Sequence, residues 1–239
     1  HPVEDKIYVG SYWGGLLEYN GTDFKVYDDT NSSLQGAVGD EARERITGLA
    51  FDTQNNLWIT NYLASRPLSV FKADGTWKSF SLPCSNITNT SQIVIDHRGY
   101  KWIMLYSKSA GVVVYDDGGT IDDESDDRCV VLGASNTAIP SNSVYCLAVD
   151  REGDIWVGTA EGPVVFDGNG DIFNGHQGSW VKVEQDGVLN YLFGEETIYS
   201  IAVDGANRKW FGTGSGVFVQ SPAGNEEVAS YTTANSPLL

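Results

Sequence analysis

Four times along this chain an aspartate is followed six residues later by a tryptophan: Asp52 and Trp58, Asp96 and Trp102, Asp150 and Trp156, Asp204 and Trp210. The tryptophans succeed one another at intervals of 44, 54 and 54 residues, a period in the range of a four-stranded propeller blade. Three residues after each aspartate stands Asn55, Gly99, Gly153 or Asn207, the residue types that most readily adopt a positive φ. An aspartate whose carboxylate accepts from nearby backbone N–H groups, followed by a left-handed position, describes a short hairpin loop of a type I turn plus bulge.

Around each hairpin the chain predicts a four-stranded antiparallel meander. A strand of alternating apolar residues precedes each aspartate (Ile46 to Phe51, Ile93 to Ile95, Val144 to Val149, Ile198 to Val203), and a second strand carries the tryptophan. A glycine-marked turn (Gly14, Gly111, Gly162, Gly216) leads to a third strand ending near Tyr19, Phe71, Tyr115, Phe166 or Phe218. The fourth strand carries Phe24/Tyr27, Trp77/Phe80, Val130/Val131, Trp180/Val181 and Tyr231. Near the start, Tyr8-Val9-Gly10-Ser11 takes the place of Trp156-Val157-Gly158-Thr159 without a preceding aspartate strand. A single meander cannot bury both its faces, whereas meanders packed face to face around an axis can. The expectation is therefore an all-β protein, a β-propeller of about five blades at residues 1–34, 45–83, 91–132, 143–183 and 197–231. The first blade lacks its first strand, and an Asn-Ser lead-in closes the sequence at Asn235-Ser236, so the chain reads as part of a six- or seven-bladed propeller.

Composition narrows the function. With 32 acidic against 15 basic residues the net charge is −17, which repels phosphate backbones and anionic lipid and argues against nucleic-acid binding. No apolar run approaches the roughly 20 residues that cross a bilayer, so direct membrane insertion is not expected. Three cysteines, Cys84, Cys129 and Cys146, cannot all be paired; they read as buried or unpaired thiols rather than one bridge, with Cys146 in a core strand.

The segments Leu147 to Gly162 and Ile201 to Gly216 follow the pattern Ile-Ala-Val-Asp-x-x-Gly-x-x-Trp-Val-Gly-Thr-x-x-Gly, and this resembles the two-component-regulator propeller repeat of Bacteroidota. More narrowly, Asn55 to Tyr62, Gly119 to Arg128 and Val203 to Trp210 resemble the second propeller of PorZ-like proteins, surface components of type IX secretion. The resemblance implies a scaffold and binding module outside the cytoplasm, at the cell surface or in the periplasm, with other proteins of a surface complex as partners. It implies a link to lipopolysaccharide and supplies no catalytic residues. The alternative is the periplasmic oligosaccharide-sensing propeller of a hybrid two-component receptor; a propeller lyase or hydrolase is a third class.

In a propeller the loops joining strands two and three share a face with the blade-to-blade connections, and insertions map there. The segments Asn61 to Arg66 and Leu105 to Ala110 are longer than Thr159-Ala160-Glu161, and they bring Tyr62, Arg66, Tyr106 and Lys108 beside Tyr12 and Trp13. Aromatic rings suit a sugar face and cations suit an anionic group, so these six are the candidate glycan site; the bland alternative is that Tyr12 and Trp13 merely cover a loop. On the opposite face, seven carboxylates fall within residues 116–127. They are either solvated or bridged by a hard cation such as Ca2+, with Asp122, Asp123, Asp126 and Asp127 as the ligands; no other cofactor is expected. Asp167-Gly168-Asn169-Gly170-Asp171 starts like a calcium loop but lacks the glutamate at its twelfth position. His97 and His176 stand beside no nucleophile motif and no metal-spaced partner.

Overall fold

The computed structural model describes residues 1–237 except Ser85, residues 107–110 and Asp186, with Gln185 described by its backbone. It is all-β, with propeller-type antiparallel blades, and divides into two compact units: residues 1–106 with 113–131, and residues 111–112 with 132–237. In the first unit, β1 (Ile7–Gly10), β2 (Leu16–Tyr19) and β3 (Phe24–Tyr27) form a three-stranded sheet. Two four-stranded sheets follow: β4 (Ile46–Phe51), β5 (Leu57–Asn61), β6 (Leu68–Phe71) and β7 (Trp77–Phe80), then β8 (Thr90–Ile95), β9 (Lys101–Leu105), β10 (Val112–Asp116) and β11 (Arg128–Leu132).

The second unit holds β12 (Val144–Val149), β13 (Ile155–Thr159), β14 (Gly162–Phe166) and β15 (Ser179–Trp180) in one sheet. A separate two-stranded hairpin, β16 (Lys182–Gln185) and β17 (Val188–Tyr191), precedes the last sheet of β18 (Ile198–Val203), β19 (Lys209–Thr213), β20 (Val217–Gln220) and β21 (Glu227–Tyr231). Among the described residues the helix content is one 3-10 turn at Ile172–Asn174, too short to cross a membrane.

The six-residue spacing has a physical cause. Asp52 accepts from the N–H groups of Gln54 and Asn56 with one carboxylate oxygen, and from Trp58 Nε1 at 2.9 Å with the other. The arrangement recurs with Asp96 and Trp102 at 2.9 Å, Asp150 and Trp156 at 3.2 Å, and Asp204 and Trp210 at 3.0 Å. One carboxylate thus closes the hairpin and satisfies the indole of an otherwise apolar side chain, so Trp58, Trp102 and Trp156 are buried without an unmet donor. The left-handed residue each loop needs is present, with φ of 65° at Asn55, 86° at Gly99, 90° at Gly153 and 61° at Asn207. The first strand of each of the four repeats also carries an irregularity near its start, at Ile46/Gly48, Thr90/Ile93, Val144/Cys146 and Ile198/Ser200.

The first sheet solves the same problem without the aspartate. Tyr8 and Tyr27 both donate to Glu18 Oε2, at 3.2 and 2.7 Å. Burial and the adjacent Glu18 push the Tyr8 hydroxyl up to about 12 and raise Tyr27 as well.

Lysines stand immediately before Trp102 and Trp210, and each packs on the tryptophan of the preceding sheet within its own unit. Lys101 Nζ lies 4.0 Å above the ring of Trp58 and 2.7 Å from Asp117 Oδ1; Lys209 Nζ lies 5.1 Å above Trp156 and 2.7 Å from Asp150 Oδ2. Lys209 is fully buried and also donates to the carbonyl of Pro222. Its Asp150 partner is held below the usual carboxylate range: burial opposes ionisation, but the bonds from Lys209, Trp156 and two backbone N–H groups outweigh it.

Two details differ from the sequence reading, and one adds to it. In the first turn, beside Gly14, Gly15 takes a left-handed φ of 74° and passes against the Tyr27 carbonyl where a Cβ would collide. The fourth strand at Trp180 stops after two residues, and Val181 lies outside it; the chain then leaves the sheet as the β16–β17 hairpin and returns through Leu192. Cys84 and Cys129 are bridged, joining the segment after β7 to β11, so the expectation of buried or unpaired thiols holds for Cys146 alone. Burial pushes that remaining thiol up to about 12.

Candidate functional site

In each repeat the residue four positions after the tryptophan is the first to leave the second strand. In the first unit these are Tyr62 and Tyr106, and Tyr12 stands at the same offset of four after Tyr8, one residue further past the end of β1; in the second they are Ala160 and Gly214. The backbone fixes the position. Tyr62 N–H donates to the Arg45 carbonyl at 2.8 Å, Tyr106 N–H to Asn89 at 2.7 Å and Ala160 N–H to Ser143 at 2.9 Å, in each case to the residue just before the first strand of the same repeat.

This register lines the tyrosines up. Tyr12 and Tyr62 lie 6.1 Å apart between ring centroids, and Tyr62 and Tyr106 meet edge to face at 5.8 Å. Trp13 adds a fourth ring, edge-on to Tyr12 at 6.0 Å, with its N–H bonded to Ser11 Oγ. Trp13 and Tyr106 are 58% and 68% exposed and Tyr12 44%. The row is cationic on one side. Arg43 stacks 4.0 Å over Trp13 and Arg45 5.5 Å over Tyr12, and both guanidiniums converge on Asp40 Oδ2 at 3.0 and 2.6 Å. Those two bonds hold the Asp40 carboxyl below its usual range. The connection that carries Arg43 and Arg45 is braced by Val38 N–H donating to the Leu63 carbonyl, with Leu63 itself at a left-handed φ of 62°.

Four of the six sequence candidates, Tyr12, Trp13, Tyr62 and Tyr106, therefore come together. Arg66 does not join them: its guanidinium donates to the Ser79 carbonyl at 2.8 Å beside Trp77 and Lys78, and its N–H goes to Gln35. Lys108 lies outside the described residues. Sequence reasoning missed Arg43 and Arg45, although the strict offset of four from the repeat aromatic would have flagged the tyrosines, and the two arginines stand just before β4.

The acidic loop disperses its charge. Asp122 pairs with Lys72 at 3.1 Å, Asp123 accepts from Ser125 N–H, Asp126 accepts from Thr120 Oγ1, and Asp127 accepts from Tyr115 at 2.5 Å. Among the described residues no three His, Cys, Asp or Glu side chains gather as a metal site would require. In the calcium-like segment, Asp171 caps the 3-10 turn through Phe173 N–H, and Asp167 accepts from Asn169.

Residues 138–161 match the family model described as two component regulator propeller. The structure is similar to PorZ, an essential bacterial surface component of the type IX secretion system of Porphyromonas gingivalis, with 26% identity and a TM-score of 0.84 over 98% of this chain and 33% of that one. It also shares its fold with the extracellular domain of a putative hybrid two component system, BT3049, from B. thetaiotaomicron, at 20% identity and a TM-score of 0.62, covering 98% of this chain and 29% of that one. No curated protein sequence matches the chain. The chain spans about a third of the length of these relatives, and it is a β-propeller segment that carries a two-component-regulator propeller repeat and is similar in fold and sequence to PorZ.

Proposed function

We propose that the chain is a non-enzymatic binding module of an extracytoplasmic, surface-associated protein, and that the Trp13–Tyr12–Tyr62–Tyr106 row takes a glycan carrying anionic groups, such as lipopolysaccharide. The observation that carries this reading is the row itself: four aromatic rings in contact, three of them strongly exposed, with two guanidiniums laid against them. Aromatic faces match the apolar faces of sugar rings, and the arginine pair, only half balanced by the single Asp40 carboxylate, keeps a net positive charge and offers its remaining donors to phosphate or carboxylate. The Cys84–Cys129 bridge supports an oxidising compartment, as does the likeness to a bacterial surface component. Association with other proteins of a surface complex is part of the same reading. So is the absence of turnover, a reading supported by the likeness to PorZ and to the two-component-regulator propeller repeat.

A sensor role in a hybrid two-component receptor is the second reading, favoured by the repeat at 138–161; the same row would then detect its glycan for signalling. The test of the site is retention on immobilised lipopolysaccharide. Trp13→Ala should weaken binding several-fold, as expected from loss of about 1 kcal/mol of stacking, without lowering the melting temperature. Equal retention would remove the row as the binding site.

A further inference from the structure

The hairpin that replaces the outer strand in the second unit builds a groove of its own. It has a volume of about 930 Å³ and lies between β16–β17 and the β20–β21 side of the last sheet. Leu192, Phe193 and Phe218 form an apolar floor, with Phe193 and Phe218 in ring contact at 5.2 Å. Trp180 and Tyr191 form a wall, edge to face at 4.6 Å, and the Trp180 indole is anchored on the Ala138 carbonyl. Phe193 is held at a φ of 50°, a conformation uncommon for a bulky side chain; the Glu196 N–H bond to its carbonyl is part of the turn that keeps it there.

The rim is acidic. Glu184, Glu195, Glu226 and Glu227 line it and all are exposed, while no lysine or arginine lines the groove among the described residues. Beside it, among the described residues, β17 pairs with β16 alone and β21 is the last strand of its sheet, so each presents a strand edge. An apolar, aromatic-walled trough with a rim of one charge sign and a free strand edge selects an extended segment with alternating cationic and apolar side chains. From these features we infer that the groove between the β16–β17 hairpin and β20–β21 binds an extended, arginine- or lysine-bearing segment of a partner protein. The apolar residues of that segment would rest on Leu192, Phe193 and Phe218, and its cations would meet the glutamates. This site is independent of the aromatic row in the first unit.

The test uses the full chain and a fluorescein-labelled peptide, Arg-Val-Arg-Thr-Arg-Val, followed by anisotropy, with the glutamate analogue Glu-Val-Glu-Thr-Glu-Val as control. The arginine peptide should bind, more weakly as salt rises, and the glutamate peptide should not. Glu195→Lys/Glu226→Lys should weaken binding tenfold or more. Asp5→Lys/Glu152→Lys, with the same change in net charge at residues that do not line the groove, should alter it less than twofold. Equal weakening by both pairs would mean diffuse attraction to an acidic protein and would overturn the site. In the unmodified chain, hydrogen exchange at residues 188–196 should slow on peptide addition; unchanged exchange there would overturn it even if the charge-reversed variants failed to fold. Sedimentation showing a dimer whose formation by itself slows exchange at residues 188–196 would assign the groove to a second copy of the chain and likewise reject a partner segment.

Discussion

The two units apply one repeat to different ends. Both fasten an indole to an aspartate six residues earlier, and both bury a lysine against the tryptophan of the preceding sheet. They part company at the other end of the second strand. The first unit places a tyrosine at the exit position in all three of its sheets and supports the row with Arg43 and Arg45, while the second places Ala160 and Gly214 there and spends its extra chain on the β16–β17 hairpin. Their reinforcement differs too. Lys101 pairs with Asp117 of its own sheet and its unit is cross-linked by Cys84–Cys129, whereas Lys209 pairs with the very aspartate that holds the neighbouring tryptophan. One unit relies on a covalent tie, and the other on a buried ion pair at the centre of its repeat chemistry.

The largest break in this comparison should come from Lys209→Met. It leaves Asp150 buried without its cation, and a loss of about 3–5 kcal/mol is expected, confined to the second unit. Thermal melts read with hydrogen exchange would show whether residues 144–220 open first. The deficit should also depend on pH with a defined sign. Asp150 has a lowered pKa in the folded state, so its contribution is present above the unfolded value near 3.9 and is lost as pH falls through the folded one. In Lys209→Met much of that contribution is already gone, so its melting temperature should lie a steady amount below that of the unmodified chain above about pH 4 and approach it only as pH falls further. A deficit that stayed constant would show that the ion pair is not the cause.

Cys84→Ser/Cys129→Ser should strike the first unit instead. Opening a covalent loop spanning 45 residues is expected to cost about 4 kcal/mol on the chain-entropy model, with protection lost in β8–β11 and retained in β18–β21. The smallest effect sharpens the comparison rather than breaking it. Gly214→Tyr writes the first unit's exit residue into the second, and a Cβ there meets nothing within 4 Å, so the melting temperature should shift by no more than about 0.5 kcal/mol allows. If that variant unfolded, the exit position would be a structural requirement and not a free surface choice.

The repeat was legible because its signal is chemical and local. The carboxylate and the indole lie on one hairpin, so their spacing survives whatever the outer loops do. The fourth strand at Trp180 misled for the opposite reason: Trp180-Val181-Lys182-Val183 alternates as a strand should, and only the Asp186-Gly187 pair further on marks the hairpin. The bridge was obscured by an odd cysteine count, although Cys84 and Cys129 stand at the outer strands of adjacent repeats. At the candidate site the aromatics could be read from loop length, but the cations could not. Arg66 finds the Ser79 carbonyl within its own sheet, and Arg43 and Arg45 reach the rings only because the connection carrying them folds back through Asp40 and Val38. Such non-local pairing leaves no periodic trace.

The hairpin aspartate stands before the second strand and the exit residue just past its other end, four residues or about 13 Å beyond the tryptophan. Mutation can therefore rewrite what one rim exposes while the other rim keeps the sheet folded. A lineage built from such repeats can try new ligands one exit position at a time, with no need to find a new fold for each.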